Sequence, residues 1–101
     1  MKINKKEFYK SELGIKVDAC IKGLEMHLKI LNRDGYLGYM QTLHNSELWL
    51  SNAVELYDKL LKCLSIVNDK YDVKTHLLQQ GDRLLILVTG NGEYFLTGGL
   101  N

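Results

Sequence analysis

Residues 24–43 contain the segments Leu24-Glu-Met26-His-Leu28-Lys-Ile30, then Asn32-Arg-Asp-Gly35, then Tyr36-Leu-Gly-Tyr-Met40. Apolar residues alternate with polar ones through the first segment, which is the period of a strand buried on one face. Asp34-Gly35 is typical of a tight turn, because glycine readily adopts a positive φ. A second apolar run follows this turn. The whole region therefore predicts a β-hairpin.

One long helix is predicted after this hairpin. It begins at Asn45 or Ser46, carries Glu47 in its first turn, where a carboxylate is favourable, and runs to about Asn68. Its apolar residues fill roughly half of the circumference, whereas an arc of about 100° is enough to pack a helix on one sheet. The excess is centred on Trp49, Leu56 and Cys63. We expect a second surface to cover it, and a partner subunit would do so, because large exposed apolar patches mark interfaces.

The segment before the hairpin has an ambiguous pattern. Asn4 and Glu7 have the spacing of a capping box and predict a first helix. Apolar residues alternate along 15–21 as in a strand, but those residues also share one helical face with Leu24. We interpret the segment as mainly helical to about Lys22 and leave the strand open as an alternative.

Turn residues divide the last part of the chain into three predicted strands. These are 73–79, 83–89 and 93–100, separated by Gln80-Gly-Asp82 and Gly90-Asn-Gly92. The middle strand is apolar on both faces, which favours an interior position in the sheet. The predicted order is α-β-β-α-β-β-β, an α+β single domain over residues 1–101.

The composition argues against several classes of function. A net charge of +1 does not favour nucleic acid as a partner, because phosphate contacts need clustered lysine and arginine. No run approaches the roughly 18 apolar residues of a membrane span, so no membrane insertion is expected. The N-terminus lacks a secretory pattern, and two isolated cysteines are typical of a reducing compartment. We therefore expect a cytoplasmic protein.

The candidate reactive residues form no recognisable catalytic or metal site. His27, His44 and His76 lack the spacing of zinc ligands. The glycine turn 90–92 leads into a strand, whereas a phosphate loop leads into a helix N-terminus. Cys63 lies within the apolar arc, where a thiol is usually inert. We therefore predict no catalytic residues, no metal and no cofactor, and a protein that is not an enzyme.

Two regions resemble the roadblock/dynein light chain family. They are Leu28-Lys-Ile-Leu-Asn-Arg-Asp-Gly35, and Gly81-Asp-Arg-Leu-Leu-Ile-Leu-Val88 with Gly92-Glu-Tyr-Phe-Leu96, in the same order of elements. The resemblance covers roughly residues 15–101. It implies a roadblock or longin-like fold, in which one long helix crosses a five-stranded antiparallel sheet.

The same resemblance implies a partner and a function. Family members form homodimers or heterodimers through the long helix and the strand after it. The corresponding interface residues here would be Trp49, Leu56, Cys63, Lys74, His76 and Leu78. Such dimers are non-enzymatic scaffolds that bind and regulate small GTPases.

Two alternatives stay open. Trp49 fits a core position as well as an interface anchor, because tryptophan is common in both. The whole protein also fits a small monomeric inhibitor or immunity-type protein that caps a toxin or a defence enzyme, because small α+β proteins without catalytic motifs often have such roles.

Overall fold

The structure is a computed structural model that describes residues 2–35 and 49–97. These residues form three helices followed by three strands, so the protein is α+β. The elements are α1 Lys5–Phe8, α2 Glu12–Arg33, α3 Ser51–Tyr71, β1 Lys74–Gln80, β2 Arg83–Thr89 and β3 Tyr94–Phe95. The strands form an antiparallel sheet in the order β1-β2-β3.

The predicted first strand is wrong, because this segment is the second half of α2. Leu24, Leu28 and Leu31 are buried at the spacing of three and four residues that defines one helical face. Met26 and Ile30 are 66% and 45% exposed on the other side of the same helix. The alternation therefore arises from apolar residues on two opposite sides of a helix.

The five-stranded roadblock sheet is also wrong. The sheet formed by the described residues has three strands. Asp34 caps the end of α2, and Gly35 follows it with a φ of 88°, as is common where a helix terminates. The predicted second hairpin strand, 36–40, and the predicted helix start at Asn45 or Ser46 lie outside the described residues.

The helical interpretation of residues 15–21 is confirmed, since α2 includes them. The side chain of Asn4 accepts a 3.1 Å hydrogen bond from the backbone of Glu7 and caps α1, as its position predicted. A second cap starts α2, where Ser11 Oγ accepts from the backbone of Gly14 at 3.1 Å. Two capped helices therefore replace the single N-terminal helix that the sequence indicated.

The C-terminal strands follow their predicted order. β2 has the predicted bounds, and β1 is shifted by one residue. β3 spans only Tyr94–Phe95, although the backbone N–H of Leu96 continues the pairing by donating to Ile86 O at 2.8 Å. Residues 98–100, the end of the predicted last strand, lie outside the described part of the chain.

The helices α2 and α3 pack on each other and on one face of the sheet. Contacts join α2 mainly to β2 and α3 mainly to β1. Burial of apolar side chains between the two layers is the main stabilising contribution. The residues with least exposure are Phe8, Val17, Cys20, Leu24, Leu28, Leu60, Val67, Leu84, Ile86, Val88 and Leu96. This arrangement leaves β1 at the edge of the sheet, beneath α3.

Candidate interaction surface

Trp49 packs between the two long helices. Its ring stacks on His27 with the centroids 5.0 Å apart and lies parallel to Tyr57 at 6.3 Å. The indole Nε1 is buried without a hydrogen-bond partner, while His27 is itself buried. The ring is partly buried against the core. In the described structure Trp49 therefore joins the start of α3 to α2.

Leu56 and Cys63 face α2. A Cβ atom added to Gly23 would lie 2.7 Å from Leu56 Cδ1, so the side chain of Leu56 packs against α2 at this glycine. Cys63 and Cys20 are both buried in the core. Burial, followed by the neighbouring Cys63, raises the pKa of the Cys20 thiol. The side of α3 that we expected a partner to cover is thus covered by a helix of the same chain.

The other predicted interface residues lie on a different surface. Lys74, His76 and Leu78 are exposed, whereas Leu77 between them packs against the core. Side chains alternate along a strand, so the exposed three lie on the sheet face away from the helices. His76 Nε2 is 3.0 Å from Thr89 Oγ1 on that face. The structure therefore does not bring these residues together with Leu56.

The outer edge of β1 presents backbone groups to its surroundings. Ile86 in β2 accepts a 2.8 Å backbone hydrogen bond from the residue that follows β3. Peptide groups of an antiparallel strand alternate in direction, so those of Leu87 point to β1, where its partner is His76. The N–H and C=O groups of Thr75 and Leu77, which flank His76, consequently point away from β2.

This edge lacks the features that usually prevent strands from pairing with other molecules. Edge strands are commonly protected by charges, prolines, bulges or short length. β1 is seven residues long and has no formal charge after Lys74. The chain contains no proline, and the pairing of β1 with β2 has no bulge. Within 2–35 and 49–97, no further strand pairs with this edge.

Two exposed apolar residues lie on the side of α3 that contacts β1 through Asn68. Val54, Leu61 and Asn68 are seven residues apart and so lie on one side of the helix, away from Leu56. Val54 is 38% exposed and Leu61 is 44% exposed. Asn68 Oδ1 accepts a 2.9 Å hydrogen bond from Thr75 Oγ1, which joins this side of α3 to β1.

We call Val54, Leu61, Thr75 and Leu77 the edge surface. It combines two apolar side chains with two residues whose backbone groups point outward. The sequence analysis centred the excess of the apolar arc on Trp49, Leu56 and Cys63, on another side of the helix. The seven-residue spacing of Val54 and Leu61 is the signal that could have identified them.

The remaining candidate residues form no reactive cluster in the described structure. No group of three or more His, Cys, Asp or Glu side chains is placed to hold a metal ion among those residues. The turn 90–92 joins β2 to β3, and Gly90 and Gly92 have φ values of 104° and 88°. His44 lies outside the described residues. No described helix is long and apolar enough to cross a membrane.

The chain matches no family model, no curated protein and no solved structure. The roadblock resemblance stays a prediction from the sequence, without the sheet that it implied. The functional argument therefore depends on the surfaces of this molecule alone.

Proposed function

We propose that this protein is a non-enzymatic scaffold that forms a homodimer through the edge surface. The observation that carries the proposal is the unprotected edge of β1, which is joined through Thr75 and Asn68 to the side of α3 that carries the exposed Leu61. Strand edges bind other strands through backbone hydrogen bonds, and an adjacent apolar surface adds burial to that pairing.

A second copy of the chain fits this surface because the surface is self-complementary. In antiparallel pairing centred on His76, Thr75 is opposite the partner subunit's Leu77, and the outward backbone groups of the two strands meet. The two sheets then form one continuous sheet. The α3 helices run over neighbouring edge strands. Asn68, which is bonded to Thr75, lies nearest to the centre of this pairing, and Leu61 lies about 10 Å further along α3 in each copy.

The charges agree with this register. Lys74 is the only formally charged residue of β1. In the centred pairing it is opposite the partner subunit's Leu78, and the two Lys74 residues are four strand positions apart, about 13 Å. Like charges directly opposite each other would weaken the pairing, and this register avoids them.

The dimer depends on β1 and α3 and does not require the roadblock sheet. A small GTPase as a further partner of the dimer stays a prediction from the sequence resemblance. A monomeric inhibitor would use the same edge differently, because it would pair β1 with a strand of its target. The oligomeric state of the pure protein separates these two functions.

Sedimentation velocity at tens of micromolar tests the proposal. We expect the wild type to sediment as a dimer and Leu61→Glu as a monomer, because the substitution places a carboxylate in each copy on the apolar surface next to the paired strands. Ile15→Glu is the matched control, since Ile15 is an exposed apolar residue on α2 outside the edge surface. A monomeric wild type, or a dimer of Leu61→Glu, would overturn the proposal.

A further inference from the structure

A groove between α2 and α3 forms a second surface, separate from the edge surface. It has a depression at each end. One, of about 290 Å³, is lined by Gly23, Met26, Ile30, Leu50 and Leu56, among others. The other, of about 370 Å³, is lined by Leu13, Lys16, Cys63, Ile66 and Lys70, among others. We call this surface the helix groove.

Both depressions open on the same side of the helix pair. Lys16 and Gly23 are seven residues apart on α2, and Leu56 and Cys63 are seven residues apart on α3. Residues at this spacing share one side of a helix. The residues that line the two depressions run along α3 from Leu50 to Lys70, a distance of about 30 Å.

Exposed apolar side chains occupy both ends of the helix groove. Leu50 is 60% exposed and Met26 is 66% exposed at one end, while Ile66 is 54% exposed at the other. Leu50 and Met26 line the same depression, and exposed apolar side chains grouped in this way usually mark a binding site. The middles of the two depressions are about 20 Å apart along α3, and residues four turns apart on a bound helix are separated by about 22 Å, so one helix could place a side chain in each depression.

The helix groove carries three lysines, Lys16, Lys59 and Lys70, and two glutamates, Glu12 and Glu55. Lys70 lines one depression, and Lys59 lies between Leu56 and Cys63 on the exposed side of α3. Neither lysine has a carboxylate partner among the described residues, whereas Lys16 is 3.5 Å from Glu12. Glu55, one turn before Lys59, is the other carboxylate on this side. The Nζ atom of Lys70 lies 5.5 Å from the centre of the Tyr71 ring, a contact that supplies no counter-ion to its charge. A negatively charged partner could therefore pair with Lys59 and Lys70.

We propose that the helix groove binds an acidic amphipathic helix of another protein. Its apolar residues would enter the two depressions, and its carboxylates would face Lys59 and Lys70. The site lies on the other side of α3 from Val54 and Leu61. Binding therefore does not require the dimer, and the two proposals can fail independently.

An anionic membrane offers the same combination of apolar and negative groups. The helix groove is concave and its apolar residues are divided between two depressions, which suits a helix better than a flat bilayer. Vesicles are therefore included in the test as the competing source of negative charge.

The experiment measures fluorescence polarisation of labelled helical peptides of about 18 residues. Each peptide carries leucines one and four turns apart, and the other exposed positions are all Glu in one peptide and all Lys in its matched control. We expect the wild type to bind the Glu peptide at least about ten-fold more tightly than the Lys peptide. The double variant Lys59→Glu/Lys70→Glu should reverse this preference.

Two further variants locate the binding site. Ile66→Asp should weaken binding of the Glu peptide by at least about ten-fold, because it places a carboxylate in one depression. Leu61→Glu, on the edge surface, should bind as the wild type does. Equal binding of both peptides, no binding of the Glu peptide, or full binding by Ile66→Asp would overturn the proposal. So would co-sedimentation with phosphatidylserine vesicles without binding of the Glu peptide.

Discussion

The hydroxyl group of Thr75 in β1 donates a 2.9 Å hydrogen bond to Oδ1 of Asn68 in α3. Asn68 lies on the same side of α3 as Leu61, and the backbone of Thr75 faces the open edge of β1. The contact therefore marks where this side of the helix meets the strand edge. The two elements follow each other in the chain, and the short connection between them keeps them adjacent without this hydrogen bond.

The absence of a side chain at Gly23 allows Leu56 to pack against α2. A Cβ atom there would lie 2.7 Å from Leu56 Cδ1. We expect Gly23→Val to lower the free energy of unfolding by about 1–3 kcal/mol, because overpacking forces side chains or helices to shift. In the Leu56→Ala background, Gly23→Val should lower the free energy of unfolding by clearly less. Urea denaturation of the four proteins of this double-mutant cycle measures the difference.

Ala19 provides the control for Gly23, because it is exposed on the same helix. Ala19→Val should change the free energy of unfolding only by the small difference in helix propensity, below about 0.7 kcal/mol. If Gly23→Val and Ala19→Val lower the free energy of unfolding equally, the packing of Leu56 against Gly23 is contradicted.

Glu25 joins α2 to the start of β2. Its Oε2 atom accepts a 2.8 Å hydrogen bond from the backbone N–H of the buried residue Leu84. Glu25→Ala leaves this donor without its partner, and we expect a loss of about 1–3 kcal/mol in the free energy of unfolding. Glu25→Gln retains an acceptor oxygen and should lose less. Thermal denaturation compares the two, and equal losses would show that the bond contributes little.

Tyr9 predicts a dependence on alkaline pH. Its hydroxyl donates to Leu96 O at 3.1 Å, and burial, followed by the Asp18 carboxylate, raises the pKa of the phenol well above its usual value. Above about pH 10 the unfolded chain releases this proton while the folded protein keeps it. The stability that depends on Tyr9 is therefore complete below about pH 10 and decreases as the pH rises beyond it.

Tyr9→Phe tests this dependence by urea denaturation at about pH 8 and about pH 10.5. The variant loses the hydrogen bond, at a cost of about 1 kcal/mol at the lower pH. It should then lose less stability than the wild type between the two pH values. The same loss in both proteins would show that Tyr9 does not titrate as we describe.

The C-terminal part of the fold could be predicted from the sequence because local turn chemistry defines it. Gly81 and Gly92 both have positive φ values, 61° and 88°, at the predicted reversals. β2 is apolar on both faces and has the predicted bounds. Such signals depend on a few adjacent residues and not on the rest of the molecule.

The second half of α2 could not be predicted in the same way. Leu24 and Leu28 belong to the core, whereas Met26 and Ile30 are exposed. A pattern of apolar residues does not by itself distinguish these two environments, so the helix resembled a strand. Only the packing of α2 against α3 and β2 separates them.

The same error affected the predicted interaction site. Without a long helix α2, the sequence offered no cover for Leu56 and Cys63, and a partner subunit was the remaining explanation. The structure covers both with α2 and leaves Leu61 exposed on another side of α3. Which part of a wide apolar arc remains exposed depends on where its neighbouring elements lie.

The account is tested most directly by sedimentation velocity of Thr75→Pro and Thr75→Val at tens of micromolar. Both variants lose the hydroxyl bonded to Asn68, but only proline removes the backbone N–H at the open edge while the pairing of β1 with β2 remains. We predict that the wild type and Thr75→Val are dimers and that Thr75→Pro is a monomer with an unchanged far-ultraviolet circular dichroism spectrum. A dimeric Thr75→Pro, or a monomeric wild type, would contradict the account.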